Sequence, residues 1–172
     1  AALAVCMIFM LMLSLATLSA MRGASSQERM AANAYLANSS FQAAEAGLRL
    51  AENQLLDNLA SYAGICSGAS CNLPVSVFDS SITAAPAGWV SLPASDQSNQ
   101  MKIWYQISNL GHSATPANMQ AAYPGNLYRI VVVAYRGPTR SIVEAVYVHA
   151  QIGMSGGPPL SLFQRIMWRQ LR

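Results

Sequence analysis

Two hydrophobic rhythms organise the chain. From Ala1 to Met21 the residues AALAVCMIFMLMLSLATLSAM run without a charge. As a helix rising ~1.5 Å per residue, this run is ~31 Å long, enough to cross a bilayer core of roughly 30 Å. No proline interrupts residues 22–59, and there Met30, Ala34, Ala37, Phe41, Ala44, Leu48, Ala51 and Leu55 recur at steps of four and three. That spacing draws one apolar stripe along a helix. The pattern therefore predicts an apolar helix half, residues 1–21, continued by an amphipathic half, residues 22–60, that needs a surface to lie against. Ser14, Thr17 and Ser19 carry hydroxyls that can bond back to helix carbonyls. Gly23, followed by Ala24, Ser25 and Ser26, is a weak point in helix propensity where a bend can form.

After residue 60 the period changes. Residues 72–86 are rich in Ser, Ala, Pro and Thr and read as a connecting loop. Four strand candidates follow. Gly88 to Leu92 is short. Met101 to Ile107 places Met101, Ile103, Tyr105 and Ile107 on one face. Leu127 to Tyr135 sets Ile130, Val132 and Ala134 opposite Arg129, and Ser141 to His149 sets Val143, Ala145 and Tyr147 opposite Glu144. Arg136-Gly137-Pro138-Thr139-Arg140 joins the last two as a short hairpin connection. Between Asn109 and Asn126 lies a long polar loop of the kind that often carries binding surfaces. One apolar sheet face and one apolar helix stripe solve each other's burial problem, so the expected class is α+β: a long N-terminal helix packed on an antiparallel four-stranded sheet, with a head spanning 61–150.

The tail, 151–172, is the least expected part. Met154 to Pro159, MSGGPP, breaks the last strand. Beyond it, Phe163, Ile166, Met167, Trp168 and Leu171 stand at helical spacing among Arg165, Arg169 and Arg172. This predicts a basic amphipathic helix. Thirteen residues are marginal as a helix in water, so it needs a partner surface, of protein or of membrane.

Composition narrows the functional classes. The net charge is +3, and only 10% of the 172 residues are charged. Three of the ten basic residues sit in the last eight positions, which argues against nucleic acid as a partner. The seven acids are scattered, and no nucleophile–base set, metal-ligand cluster or phosphate-cradling glycine loop stands out. No enzyme, cofactor or metal is expected. Cys66 and Cys71, in CSGASC, leave two readings open: half a metal site, or a disulfide closing a small loop. No further cysteine lies outside the apolar run, and His112 and His149 are isolated, so the disulfide is the expectation. Cys6, within the run, reads as a small hydrophobe, with lipid modification as the alternative. Glu45 and Arg49, four apart in the favourable order, read either as a surface pair worth roughly 0.2–0.5 kcal/mol or as contacts to a neighbouring subunit.

Residues 23–52, GASSQERMAANAYLANSSFQAAEAGLRLAE, resemble the N-terminal segment of PilX-type minor pilins of type IV pili. Glu28-Arg29-Met30-Ala31 and Phe41 to Arg49, FQAAEAGLR, carry the likeness, which covers the first third of the chain. It implies the pilin fold, and subunit contacts at Glu28, Arg29, Glu45 and Arg49. It implies processing by a prepilin peptidase that makes Ala1 the mature N-terminus and leaves the apolar run in place. Most pilins then carry glutamate at position five, where this chain has Val5. That departure suggests a subunit at the filament tip. The implied partners are other minor pilins and the major pilin through the helix, the inner-membrane assembly platform, and a large tip adhesin. The implied location is the inner membrane, head in the periplasm, and afterwards the pilus tip. Two alternatives remain: a K-type-like pseudopilin of type II secretion, which also lacks this glutamate, and a signal-anchored periplasmic binding module.

Overall fold

The structure, a computed structural model, describes residues 2–93, 101–118, 123–153 and 160–172. It divides into two units, Ala1–Asn38 and Ser39–Arg172. Helix α1, Ala2–Asp57, supplies all of the first unit's described residues and the opening of the second. Gly23 is helical within it. Ser14 Oγ donates to Met10 O at 2.8 Å and Thr17 Oγ1 to Ser14 O at 2.9 Å, so these hydroxyls are satisfied by the helix's own carbonyls. The expected processing point, Ala1, lies outside the described residues, as do Met154 to Pro159 and positions 119–122 of the Asn109–Asn126 loop.

The second unit is built on one antiparallel sheet of five strands in the order β1-β2-β3-β4-β5, each paired with the next in sequence. They are β1 Val90–Ser91, β2 Lys102–Ser113, β3 Gly125–Arg136, β4 Thr139–Ile152 and β5 Leu160–Gln170. The fifth strand corrects the expectation of four strands and a helical tail. It pairs with β4 from Val143↔Gln170 to Ile152↔Leu160, with a register shift between Val146 and Tyr147 that leaves Ile166 as an extra residue. A bulge adds one residue to a period of two, so the apolar positions 163, 166, 167 and 171 mimic helical spacing. The unpaired backbone of β4 decides the outcome, because a strand there satisfies a whole row of hydrogen-bonding groups.

The part of α1 from Ser39 covers one sheet face. Its buried residues are Ser39, Ser40, Ala43, Ala44, Gly47, Leu48, Ala51 and Leu55. Small residues dominate this list and let the helix approach closely. An added Cβ on Gly47 would stand 2.7 Å from Ile103 Cγ2 and 2.9 Å from Val132 Cγ1. Ser40 Oγ and Ser141 Oγ share a buried hydrogen bond of 2.8 Å. The alternation of strand side chains then puts Ile130, Val132, Ala134, Val143, Ala145 and Tyr147 on this face, all buried except for the edge of Tyr128 beside them.

The opposite face is also covered, which the reading of 72–86 as a simple connection missed. Val77, Trp89, Trp104, Val131, Val133, Tyr135 and Ile142 form a second core, packed by Leu73, Phe78, Ile82, Ala85 and Leu171. The covering segment has little regular structure beyond a 3-10 turn at Val75–Phe78, so side chains of the sheet bind its carbonyls. Arg140 donates to Val77 O and Ile82 O, each at 2.5 Å. Its guanidinium lies 5.4 Å from the Trp104 ring centre and 5.2 Å from that of Tyr135. Tyr135 Oη donates to Thr83 O at 2.6 Å, and Arg172 donates to Phe78 O. Burial pulls the Arg140 pKa below its ordinary value, and the two rings and two carbonyls offset that cost.

Asn109 fastens the chain leaving α1. Its amide donates to Tyr62 O and Ala63 O at 3.1 and 3.0 Å, and its carbonyl oxygen accepts from Cys66 N at 2.8 Å. Gly111, at φ 98°, makes the left-handed step of the β2 bulge that turns Asn109 to this task. Cys66 and Cys71 form a disulfide just beyond.

Two outcomes follow for stability. Gly47→Ala gains helix propensity but drives a methyl into two branched, buried side chains, so it is expected to destabilise the unit by about 1–3 kcal/mol in urea unfolding. Arg140→Met removes both carbonyl bonds and the cation, and is expected to cost about 2–4 kcal/mol while exposing residues 73–86 to limited proteolysis. Unchanged protease resistance there would contradict the pinning role.

Candidate interaction surfaces

The first unit offers an apolar helix surface. Leu3, Met7, Ile8, Phe9, Met10, Leu11, and the rest of the run to Met21 are exposed. By length and composition α1 is a helix able to cross a membrane, with a mean hydropathy of 2.3 in its apolar window. Val5 is 54% exposed on this surface, and Cys6 is an exposed free thiol. Glu28 and Arg29 are exposed, as are Met30, Ala34 and Ala37.

Along the stripe, burial changes at Ser39. Ala44, Leu48, Ala51 and Leu55 are buried against the sheet, while Met30, Ala34 and Ala37 are not, because they lie in the unit made of helix alone. The four-three rhythm continues through both, since apolar spacing marks a face without saying what covers it. Phe41 is half-buried and meets Trp168 edge-on, ring centres 6.2 Å apart. Glu45 is half-buried and Arg49 exposed, and with Phe41, Gln42, Ala46 and Leu50 they line an open hollow of about 520 Å³.

β5 carries the residues expected on the tail helix, and the strand separates them. Phe163 stacks on Tyr147 at 5.1 Å with rings 10° from parallel. Ile166, the bulge residue, is buried in a small cluster with Val146 and Val148, and Asn118 Nδ2 donates to its carbonyl at 2.9 Å. Met167 and Trp168 are 37% and 40% exposed, and Leu171 packs into the second core. Glu144, buried on the face away from α1, accepts from Arg169 Nε at 2.5 Å and lies 3.9 Å from Arg129 Nε. The sequence showed Glu144 and Arg129 only as the polar positions of neighbouring strands. Their partner on β5 was hidden by the helical reading of the tail.

A polar cleft of about 390 Å³ lies between His112, Pro124, Gly125, Asn126, His149 and Gln151. His112, Asn126 and His149 are register partners on three adjacent strands, and His149 Nε2 is 2.8 Å from Ser161 Oγ on the fourth. Two imidazoles separated by a strand make an incomplete ligand set, and among the described residues no group of three or more His, Cys, Asp or Glu could hold a metal ion.

Tyr147 joins α1 to β5. Its hydroxyl is 3.3 Å from Glu52 Oε2, and its ring carries Phe163. Burial, then the Glu52 carboxylate, raises its pKa well above the ordinary phenol value. Burial also raises those of Tyr105, Tyr128 and Tyr135. A folded pKa above the unfolded one stabilises fully below about pH 10 and is lost as the pH climbs from there toward the folded value. The urea midpoint is therefore expected to fall on going from about pH 8 to pH 10.5, and to fall less in Tyr147→Phe. Equal losses in both proteins would remove Tyr147 from this account.

Comparison with known proteins adds one finding. No curated protein and no solved structure matches the chain. The family model described as PilX N-terminal matches residues 1–49 of the 172. The match runs from the apolar helix surface through Glu28-Arg29-Met30-Ala31 to the end of Phe41–Arg49. The chain thus carries a PilX N-terminal segment on its long helix, consistent with a PilX-type type IV pilin.

Proposed function

We propose that this chain is a structural minor pilin that primes assembly of the type IV pilus and stays in the complex at its tip. The observation that carries the reading is the PilX N-terminal match over residues 1–49, on a helix whose first part is long and apolar enough to be a membrane anchor. In this account the apolar half holds the subunit in the inner membrane with its head in the periplasm, where the Cys66–Cys71 disulfide can persist. Lateral packing of that half against other minor pilins and the major pilin replaces lipid contacts when the assembly platform extracts the subunit. The exposed Met30, Ala34 and Ala37 extend the same contact surface. Prepilin peptidase would act upstream.

Tip placement draws support from the apolar run, in which no acid occurs at position five or elsewhere. A carboxylate within a bilayer is costly, and a subunit with no neighbour to neutralise on one side is better without it. The role is structural rather than catalytic: a scaffold that helps display a large adhesin.

Deleting the gene in a strain unable to retract pili, with surface filaments counted and exoprotein secretion assayed in parallel, tests this directly. A priming pilin predicts few or no filaments with normal secretion. Normal filaments with failed secretion would move the chain to a type II secretion pseudopilin, and its even distribution along the filament shaft would contradict the tip placement.

A further inference from the structure

The least explained feature of the second unit is its open edge. β5, Leu160–Gln170, is the last strand of the sheet, and among the described residues no strand pairs beyond it. An eleven-residue edge strand presents a row of unpaired N–H and C=O groups, a template for another chain. The opposite edge is better protected. β1 is two residues long, and Ile65 and Cys66 bridge onto β2 at Asn109.

Two features of β5 blunt it against copies of itself. The bulge at Ile166 interrupts the edge, and Arg165, Arg169 and Arg172 charge it. From Leu160 to Arg172 there is no acid to answer them, and the nearest buried carboxylate, Glu144, is already held by Arg169 with Arg129 close by. Two β5 strands meeting antiparallel would set arginines against arginines. The same charges favour a strand of opposite sign.

A second feature adjoins the edge. Phe41 forms one side of the 520 Å³ hollow on α1 and touches Trp168 of β5. Trp168 itself remains 40% exposed, and Leu50 at the hollow's margin is 38% exposed. A strand added to β5 would send alternate side chains toward this side of the sheet, beneath the helix, where the hollow gives an apolar residue somewhere to go.

We propose that the β5 edge takes up an extended, acidic segment of another protein as a sixth strand, with acidic side chains answering Arg165, Arg169 and Arg172 and apolar ones turned toward Trp168 and the hollow at Phe41 and Leu50. Main-chain hydrogen bonds supply affinity, and the arginines and the hollow supply selection. This holds whichever machine the chain serves.

The test uses the full chain in nanodiscs and three twelve-residue peptides. One alternates Glu with Val, the second alternates Lys with Val, and the third is the Glu–Val peptide with proline at alternate positions. The acidic peptide is expected to bind at least about tenfold more tightly than the basic one at low salt, to lose that advantage as salt rises, and to slow hydrogen exchange at β5. The proline peptide, with half its donors removed, is expected not to bind. A variant checks the edge itself. Leu171 N bonds to Ile142 O, so strand alternation turns the Gln170 amide outward. Gln170→Pro is then expected to abolish peptide binding while leaving the melting temperature within a few degrees, since proline is tolerated on an edge. Exchange protection in the unaltered chain keeps the question open to decision if that variant unfolds. Equal affinity for acidic and basic peptides, protection confined to α1, or β5 protection that appears without peptide as the chain is concentrated would each overturn the proposal, the last by making a second copy the occupant.

Discussion

The second unit depends on burying both faces of strands β3 and β4. Val131, Val132 and Val133 follow one another and are each at most 1% exposed, although neighbouring strand residues point in opposite directions. Each face therefore needs its own cover. A helix can cover one, because its backbone is self-satisfied and its side chains interdigitate with the sheet. The other is covered by an irregular segment whose carbonyls have no ladder to join, and there the sheet must supply donors. Arg140, Tyr135 and Arg172 do so, at Val77, Ile82, Thr83 and Phe78. The apolar layer and the polar fasteners are thus one device: neither closes the outer face without the other.

How much of this the chain announces depends on the kind of signal. The helix was legible because its stripe persists for eight apolar positions without proline. Strands β2 to β4 were legible as apolar runs with turn residues between β3 and β4. The second core was not, because 72–86 looks like a loop and is one; what makes it structural is Arg140, which in sequence looks like part of a hairpin connection. The clue was the unbroken IVVVAY of β3, which fits a strand buried on two sides better than one with a wet face. The tail failed for another reason. A single extra residue at Ile166 turns a period of two into something that counts like a period of 3.6. The candidate surfaces divide the same way. The matched residues 1–49 were legible from motif and composition, whereas the β5 edge exists only once the pairing is known.

The two units put opposite demands on their surfaces. Residues up to Asn38 have apolar side chains in the open and a backbone closed by helical bonds, so side-chain contact is all they can offer a neighbour. β5 has an open backbone beneath guarded side chains, so it can offer directional main-chain bonds. The first kind of surface is permissive, since one apolar helix packs against many. The second discriminates by sign and by the spacing of alternate residues. A chain that must both join a bundle of similar helices and single out one dissimilar protein needs both kinds, and needs them kept apart. The arginines serve that separation: without them β5 would pair with its own copies as readily as the helices pack, and the selective surface would be consumed by the permissive one.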